Sequence, residues 1–274
     1  MAKASSCDNL AMTHQHVAAS PDGTSIAWSR VGSGDPVVLV HGITESAASF
    51  DPVTERLAAT NEVITLDLRG HGESESADTY DLSSMAGDVA AVIASSGVTR
   101  PHVVGHSLGG MVATAAGSML PFESIVNIDQ SLRLDSFKAQ LMPAEAMLRD
   151  PEQYQLVVDA MFEMMMGDEL SAAEAARITG LRHADHEVVL GVWELLLTQP
   201  EQEIAAIVDA ALGGYAGNDV AYLALFGIDP GDAYAEWLAA RIADSTVEYW
   251  PDLGHYPHLV DPDRFVERVL AFWN

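Results

Sequence analysis

The sequence predicts an α/β architecture, a doubly wound, mostly parallel β-sheet into which an all-helical segment is inserted. Three observations lead there. Short apolar runs without polar alternation recur along the chain, as strands buried on both faces require. Helical periodicities separate them, the rhythm of βαβ units. One stretch of roughly 85 residues, too long for a structureless loop, carries helical periodicity and no strand.

Taken in order, His14–Ala19, the turn Pro21-Asp22-Gly23 and Thr24–Val31 read as a hairpin, because a Pro-Asp-Gly cluster separates two short β-leaning runs. Buried strands are expected at Pro36–Val40, Glu62–Leu68, Arg100–Val104, Ser124–Asp129, Ala221–Gly227 and Thr246–Trp250. Helices are expected at Pro52–Ala59, Leu82–Ser95, Gly109–Met119, Ala233–Arg241 and Asp263–Trp273. Residues 131–215 form the inserted helical cap, and residues 1–130 and 216–274 the core domain.

The 274 residues carry 40 acidic and 13 basic side chains, a formal net charge of −27. Phosphate backbones and anionic bilayers both repel such a surface, and no Lys/Arg-rich run offsets it, so nucleic acid and membrane are set aside as partners. A hydrophobic fraction of 49% excludes disorder, which needs low hydrophobicity together with high charge. The single cysteine, Cys7, allows no intrachain disulfide and no cysteine-based zinc site. No apolar run resembles a signal peptide or approaches the roughly 18 residues of a membrane span, so a cytoplasmic location is expected, with a loose leader over the first dozen residues. Oligomeric state is left open.

The most informative segment is His102-Val103-Val104-Gly105-His106-Ser107-Leu108-Gly109-Gly110. It holds G-x-S-x-G after an expected strand and before an expected helix, the setting of a nucleophile elbow. Side chains two residues either side of the serine would collide at so sharp a turn, so both positions must be glycine. The strain exposes the Ser107 hydroxyl above the carboxyl edge of the sheet.

With that motif, His41-Gly42 after the first buried strand, Asp67-Leu68-Arg69-Gly70-His71-Gly72-Glu73-Ser74 after the second and Gly254-His255 near the end, the chain resembles the α/β-hydrolase superfamily throughout, save for the insert. The resemblance implies serine-based hydrolysis under a helical lid. It also implies the chain order Ser, acid, His, which limits the base to His183, His186, His255 or His258. His183 and His186 read as a solvated helix face within the insert. His255 follows the last strand, where the family keeps its base, and His258 reads as a polar or packing residue.

The acid must accept a hydrogen bond from the second imidazole nitrogen. The family pattern Gly-x-x-Asp is shortened here to Gly227-Ile228-Asp229-Pro230. Asp229 is the leading expectation. Asp129, at the end of the strand before the insert, is the alternative, and Asp232 trails both. The oxyanion that forms during attack needs donors already aimed at it. The backbone N–H of Leu108 supplies one, and that of Ile43, in the loop after His41-Gly42, the other. His41, Arg69 and His71 read as loop braces.

The insert carries Met142, Met147, Met161, Met164, Met165 and Met166. These read either as deformable core filler or, with Phe162 and Trp193, as an apolar roof over Ser107. Glu187–Leu197 is apolar nearly all round and is expected between lid and core. The expected substrate is a small hydrophobic ester or lactone, with no metal and no organic cofactor. Carbon–carbon bond hydrolysis and cofactor-free perhydrolysis can use the same triad, and a non-catalytic ligand-binding protein is the reading from another class. A serine nucleophile argues against epoxide hydrolase and haloalkane dehalogenase chemistry, which the superfamily runs through an aspartate. The charge of −27 should disfavour anionic substrates.

Overall fold

A computed structural model describes residues 16–183, 185–217 and 219–274. The leader with Cys7 and the first two residues of the strand expected from His14 lie outside these. The described residues form an eight-stranded sheet with strand order β1-β2-β4-β3-β5-β6-β7-β8. The strands are β1 His16–Ala19, β2 Ser25–Gly32, β3 Asp35–Val40, β4 Asn61–Leu66, β5 His102–His106, β6 Ser124–Ile128, β7 Ala221–Phe226 and β8 Ser245–Tyr249. The pairs β1–β2 and β2–β4 are antiparallel, and every pair from β4 to β8 is parallel.

The period of two along a strand explains why the central runs are apolar throughout. Val38 and Val40 point into one core with Ile64 and Val103. Val37 and Leu39 point into the other with Phe50 and Phe265. Helices α2 (Leu82–Ser96) and α3 (Leu108–Gly117) cover the first face. Helix α1 (Asp51–Leu57) and the C-terminal helix Pro262–Trp273 cover the second. Local chemistry sets the ends of α2: the Asp81 carboxylate accepts from the Ser84 amide, and Gly97 closes the helix at φ 77°.

Strand β5 begins two residues later than expected and runs through Gly105 to His106. Arg100 sits at φ 47°, and Pro101 lacks an N–H and can only accept, its carbonyl taking the Glu123 amide at 3.0 Å, whereas His106 pairs with Ile128.

Between β6 and β7 lie α4 (Asp135–Leu141), α5 (Glu145–Leu148), α6 (Tyr154–Met166), α7 (Ala172–Leu181), α8 (His186–Thr198) and α9 (Glu201–Leu212), with no strand among the described residues. Leu148, Val158, Phe162 and Trp193 gather into a third core, which also takes in Ile43 from the loop after β3. Helix α8 joins the layers, since Val188 packs into the sheet-side core and Val189 into the core of the insert. No helix among the described residues is long and apolar enough to cross a membrane.

Candidate active site

Ser107 stands between β5 and α3 at φ 52°, ψ −123°, a conformation that costs an L-residue energy and survives only where the surroundings over-determine it. Those surroundings are backbone. A Cβ on Gly105 would lie 2.1 Å from the Gly109 carbonyl oxygen, and one on Gly109 would lie 2.0 Å from that of Val40. The turn therefore closes only with glycine at both positions. The Ser107 amide donates to the Ile128 carbonyl at 2.9 Å, which carries the β5–β6 ladder up to the strained residue. Leu108 opens α3, so its N–H lies ahead of the helix's own hydrogen bonds.

His255 lies in the loop after β8, with its side chain buried at 2% exposure. Its Nδ1–H donates to Asp129 Oδ2 at 2.6 Å. The other Asp129 oxygen accepts from the amides of Gly227 at 2.8 Å and Ile228 at 2.9 Å. The Asp129 amide itself donates to the Leu225 carbonyl at 2.8 Å, anchoring the residue between the ends of β6 and β7 at φ 51°. These donors orient the carboxylate, which in turn fixes the imidazole in the tautomer that leaves Nε2 with a free lone pair. Nε2 has no hydrogen-bond partner among the described residues. Burial pushes the His255 pKa down, against the pull of Asp129, which keeps the ring neutral and basic near neutral pH.

The carboxylate against His255 is thus Asp129, and the leading expectation of Asp229 is corrected. Asp229 is exposed and closes a local turn, its Oδ1 accepting from the Gly231 amide at 2.8 Å. The physical reason lies in the shortened loop. With one residue between Gly227 and Asp229, the chain leaving β7 turns its amides toward Asp129 instead of sending a carboxylate to His255. Asp232 is exposed as well.

Ser107, His255, Asp129, Ile43 and Leu108 line one cavity of about 790 Å³. Its upper wall comes from the insert. Met161, Met164 and Met165 line it with Phe162 and Trp193, whereas Met142, Met147 and Met166 do not. The apolar wall continues past Met111 and Val208 to Leu212, and Arg133, Asp135 and Asp229 supply charged lining.

The remaining singled-out residues act as braces. Arg69 is buried and forks onto Asp88, Nε to Oδ2 at 2.8 Å and Nη2 to Oδ1 at 2.7 Å, while its Nη1 reaches Asp22 at 2.8 Å. His41 Nε2 accepts from the Leu68 amide at 3.0 Å, and His71 Nε2 accepts from the Thr44 amide at 3.3 Å. Of the pair expected on a solvated helix face, His183 is exposed but lies outside any helix, and His186 is the first residue of α8. The His183 amide donates to the Thr44 carbonyl at 2.8 Å, tying the insert to the loop after β3. The half-buried His186 donates from Nε2 to the Leu148 carbonyl at 2.9 Å. His258 is fully buried with both ring nitrogens unpartnered, and burial holds it neutral.

Two buried residues escaped the sequence reading. Glu45 Oε2 lies 3.4 Å from His106 Nδ1, and His106 Nε2–H donates to the His255 carbonyl at 2.8 Å. His106 occupies a variable position of the G-x-S-x-G motif and Glu45 belongs to no motif, so only the fold brings them together.

The fold and this constellation define a class, and comparison with known proteins agrees. The chain matches the alpha/beta hydrolase family over residues 37–268 and belongs to it. It is 32% identical over 127 residues to 2-(acetamidomethylene)succinate hydrolase of Mesorhizobium japonicum, covering 43% of this chain and 46% of that one. It is 38% identical over 99 residues to a soluble epoxide hydrolase of a Corynebacterium species, covering 36% and 35%. The matched segments span less than half the length of these curated relatives. Among solved structures, the esterase RhEst1 from a Rhodococcus species superposes with a TM-score of 0.70 at 28% identity, covering 94% of this chain and 98% of that one.

Proposed function

We propose that this protein is a serine hydrolase that cleaves a carboxylic ester or lactone of a small hydrophobic substrate through an acyl-enzyme. One observation carries the reading: a carboxylate-oriented, neutral imidazole with an unpartnered Nε2 shares an apolar-walled cavity with a serine held in a strained turn. In this mechanism His255 Nε2 takes the Ser107 proton as Oγ attacks the carbonyl carbon. Asp129 stabilises the imidazolium, and the amides of Ile43 and Leu108 hold the oxyanion. His255 then returns the proton to the leaving alcohol. A water, deprotonated by the same nitrogen, releases the acid.

No step requires a metal or an organic cofactor. The serine at the elbow separates this chemistry from that of the epoxide hydrolase relative, which the family runs through an aspartate. The insert, residues 131–215, acts as the lid, with its methionine-lined surface accommodating acyl groups of varied shape.

The test is turnover of p-nitrophenyl esters of graded acyl length, with fluorophosphonate labelling of the protein. Ser107→Ala should lose both activities, kcat falling by about 10⁴-fold or more. Undiminished turnover in that variant overturns the reading. Efficient cleavage of a ring-fission diketone, or peracid formation with peroxide present, would redirect it to carbon–carbon hydrolysis or perhydrolysis on the same three residues.

A further inference from the structure

The geometry points to Glu45 and His106 as a buried positioning pair that sets the place of the catalytic base by gripping the backbone of His255; this inference rests on the triad reading above. Three segments must be held in register for that chemistry: the loop with the oxyanion amide of Ile43, the elbow with Ser107, and the loop with His255. The pair touches all three. Glu45 stands two residues after Ile43, and its Oε2 lies 3.4 Å from the Gly42 amide and 3.4 Å from His106 Nδ1. His106 is the chain neighbour of Ser107. Its Nε2–H donates to the His255 carbonyl at 2.8 Å.

Both side chains are buried, His106 at 0% and Glu45 at 3% exposure, so neither charge is repaid by water. An ion pair in such a place is expensive, and this one stands although Glu45 Oε1 has no hydrogen-bond partner among the described residues. The surroundings favour a charged pair. Glu45 raises the His106 pKa and His106 lowers that of Glu45, each against the cost of burial. The other rings against His106, those of His255, His258 and Tyr256, stand 4.6–5.0 Å away centroid to centroid.

The grip has a counterpart on the other side of the peptide. The His255 amide donates to the Met165 carbonyl at the end of α6, at 2.8 Å. The base is therefore held at its carbonyl by the elbow and at its amide by the insert, while Asp129 fixes only the ring. Loss of the His106 grip leaves Ser107, Asp129 and the cavity walls in place and releases the base. That pattern lowers kcat with little change in KM, because substrate binding uses the walls.

The experiment compares two side chains of matched length at one site. His106→Gln keeps an N–H near the position of Nε2, and His106→Met keeps the bulk without a donor. Turnover of p-nitrophenyl butyrate is expected to stay within about threefold of wild type for Gln and to fall about 10- to 100-fold for Met, with KM within about twofold in both. Fluorophosphonate labelling of Ser107 should slow in step with kcat. If the Met variant does not fold, His106→Asn, one methylene too short to reach the carbonyl, takes its place with the same expectation.

Equal kcat in the Gln variant and its donor-deficient counterpart, whether both are high or both low, overturns the proposal. Glu45→Leu should lower kcat in the wild-type background and cost less than about twofold more in the His106→Met background, as residues acting through one bond do. Additive losses overturn the pairing. His255→Gln separates the two levels: retained turnover there defeats the triad reading, whereas its loss alongside equal His106 variants defeats only this inference.

Discussion

Beneath the cavity, Gly105 and Gly109 sit where an added methyl group would lie about 2 Å from a backbone oxygen, and the buried His255 is gripped at its ring, its amide and its carbonyl. Above it, Met164 is 83% exposed at the rim, and the wall mixes methionine, branched aliphatic and aromatic side chains on helices. The floor is fixed by contacts that admit one residue type, and the roof by contacts that admit many. On the proposed reading the floor carries the chemistry and the roof the selectivity, so substitutions in the two should fail differently.

The largest effect belongs to the floor. Asp129→Asn leaves the shape of the site and removes the charge that stabilises the imidazolium, so kcat should fall on the order of 10³- to 10⁴-fold. Asp229→Asn, in its exposed turn, should stay within about twofold by the same assay. Reversal of the two would break the assignment of the acid. Next is Gly109→Ala, which drives a methyl group into the Val40 carbonyl. It should destabilise by more than about 4 kcal/mol in urea unfolding or prevent soluble expression. Met164→Ala on the rim should stay within about 0.5 kcal/mol.

Acid should act on the floor before the roof. His41, His71, His102, His255 and His258 are all held below the ordinary value of 6.5 by burial, His71 at about 4. Unfolded, they bind protons as pH falls below 6.5, while the folded rings resist, so the unfolded state gains. Stability should therefore decline as pH drops from 6.5 toward about 4, read as a falling urea midpoint. His106, raised by Glu45, works in the opposite sense: its contribution is complete below 6.5 and is lost as pH rises through its folded value. A midpoint flat across the acid window would break the account of buried neutral imidazoles. The acid limb of kcat/KM should likewise fall below 6.5, since His255, facing Asp129, His106 and Glu45, titrates low.

The smallest effects sharpen the roof. Met161→Ala enlarges the cavity wall without touching the reacting atoms. It should shift the preferred acyl length, changing relative kcat/KM across a p-nitrophenyl ester series by about 2- to 10-fold while the short-chain kcat holds. An equal loss for all chain lengths would place Met161 with the floor instead.

How much of this was legible follows the same division. The parallel strands announce themselves because burial on both faces leaves no room for polar alternation. The elbow does so because only glycine fits beside Ser107. Asp129 and Asp229 were not separable from sequence, since the ends of neighbouring strands β6 and β7 both stand within reach of the loop from β8. The decision lay in a loop one residue shorter than the family pattern and in the direction its amides take. Glu45 and His106 were invisible for a related reason: their partnership joins residues 61 positions apart through burial, which no local spacing reports.

The hydrogen bond from the His255 amide to the Met165 carbonyl bears on how such a protein can be rebuilt. The insert looks like an interchangeable module, spliced between two strands and carrying its own apolar core. Yet one of its carbonyls is a support for His255, so a roof transplanted from another protein would have to reproduce that acceptor where α6 ends. Grafts chosen for the shape of their cavity alone should recognise the new substrate and turn it over poorly. Grafts that preserve the turn at Met165, Met166 and Gly167 should inherit both properties.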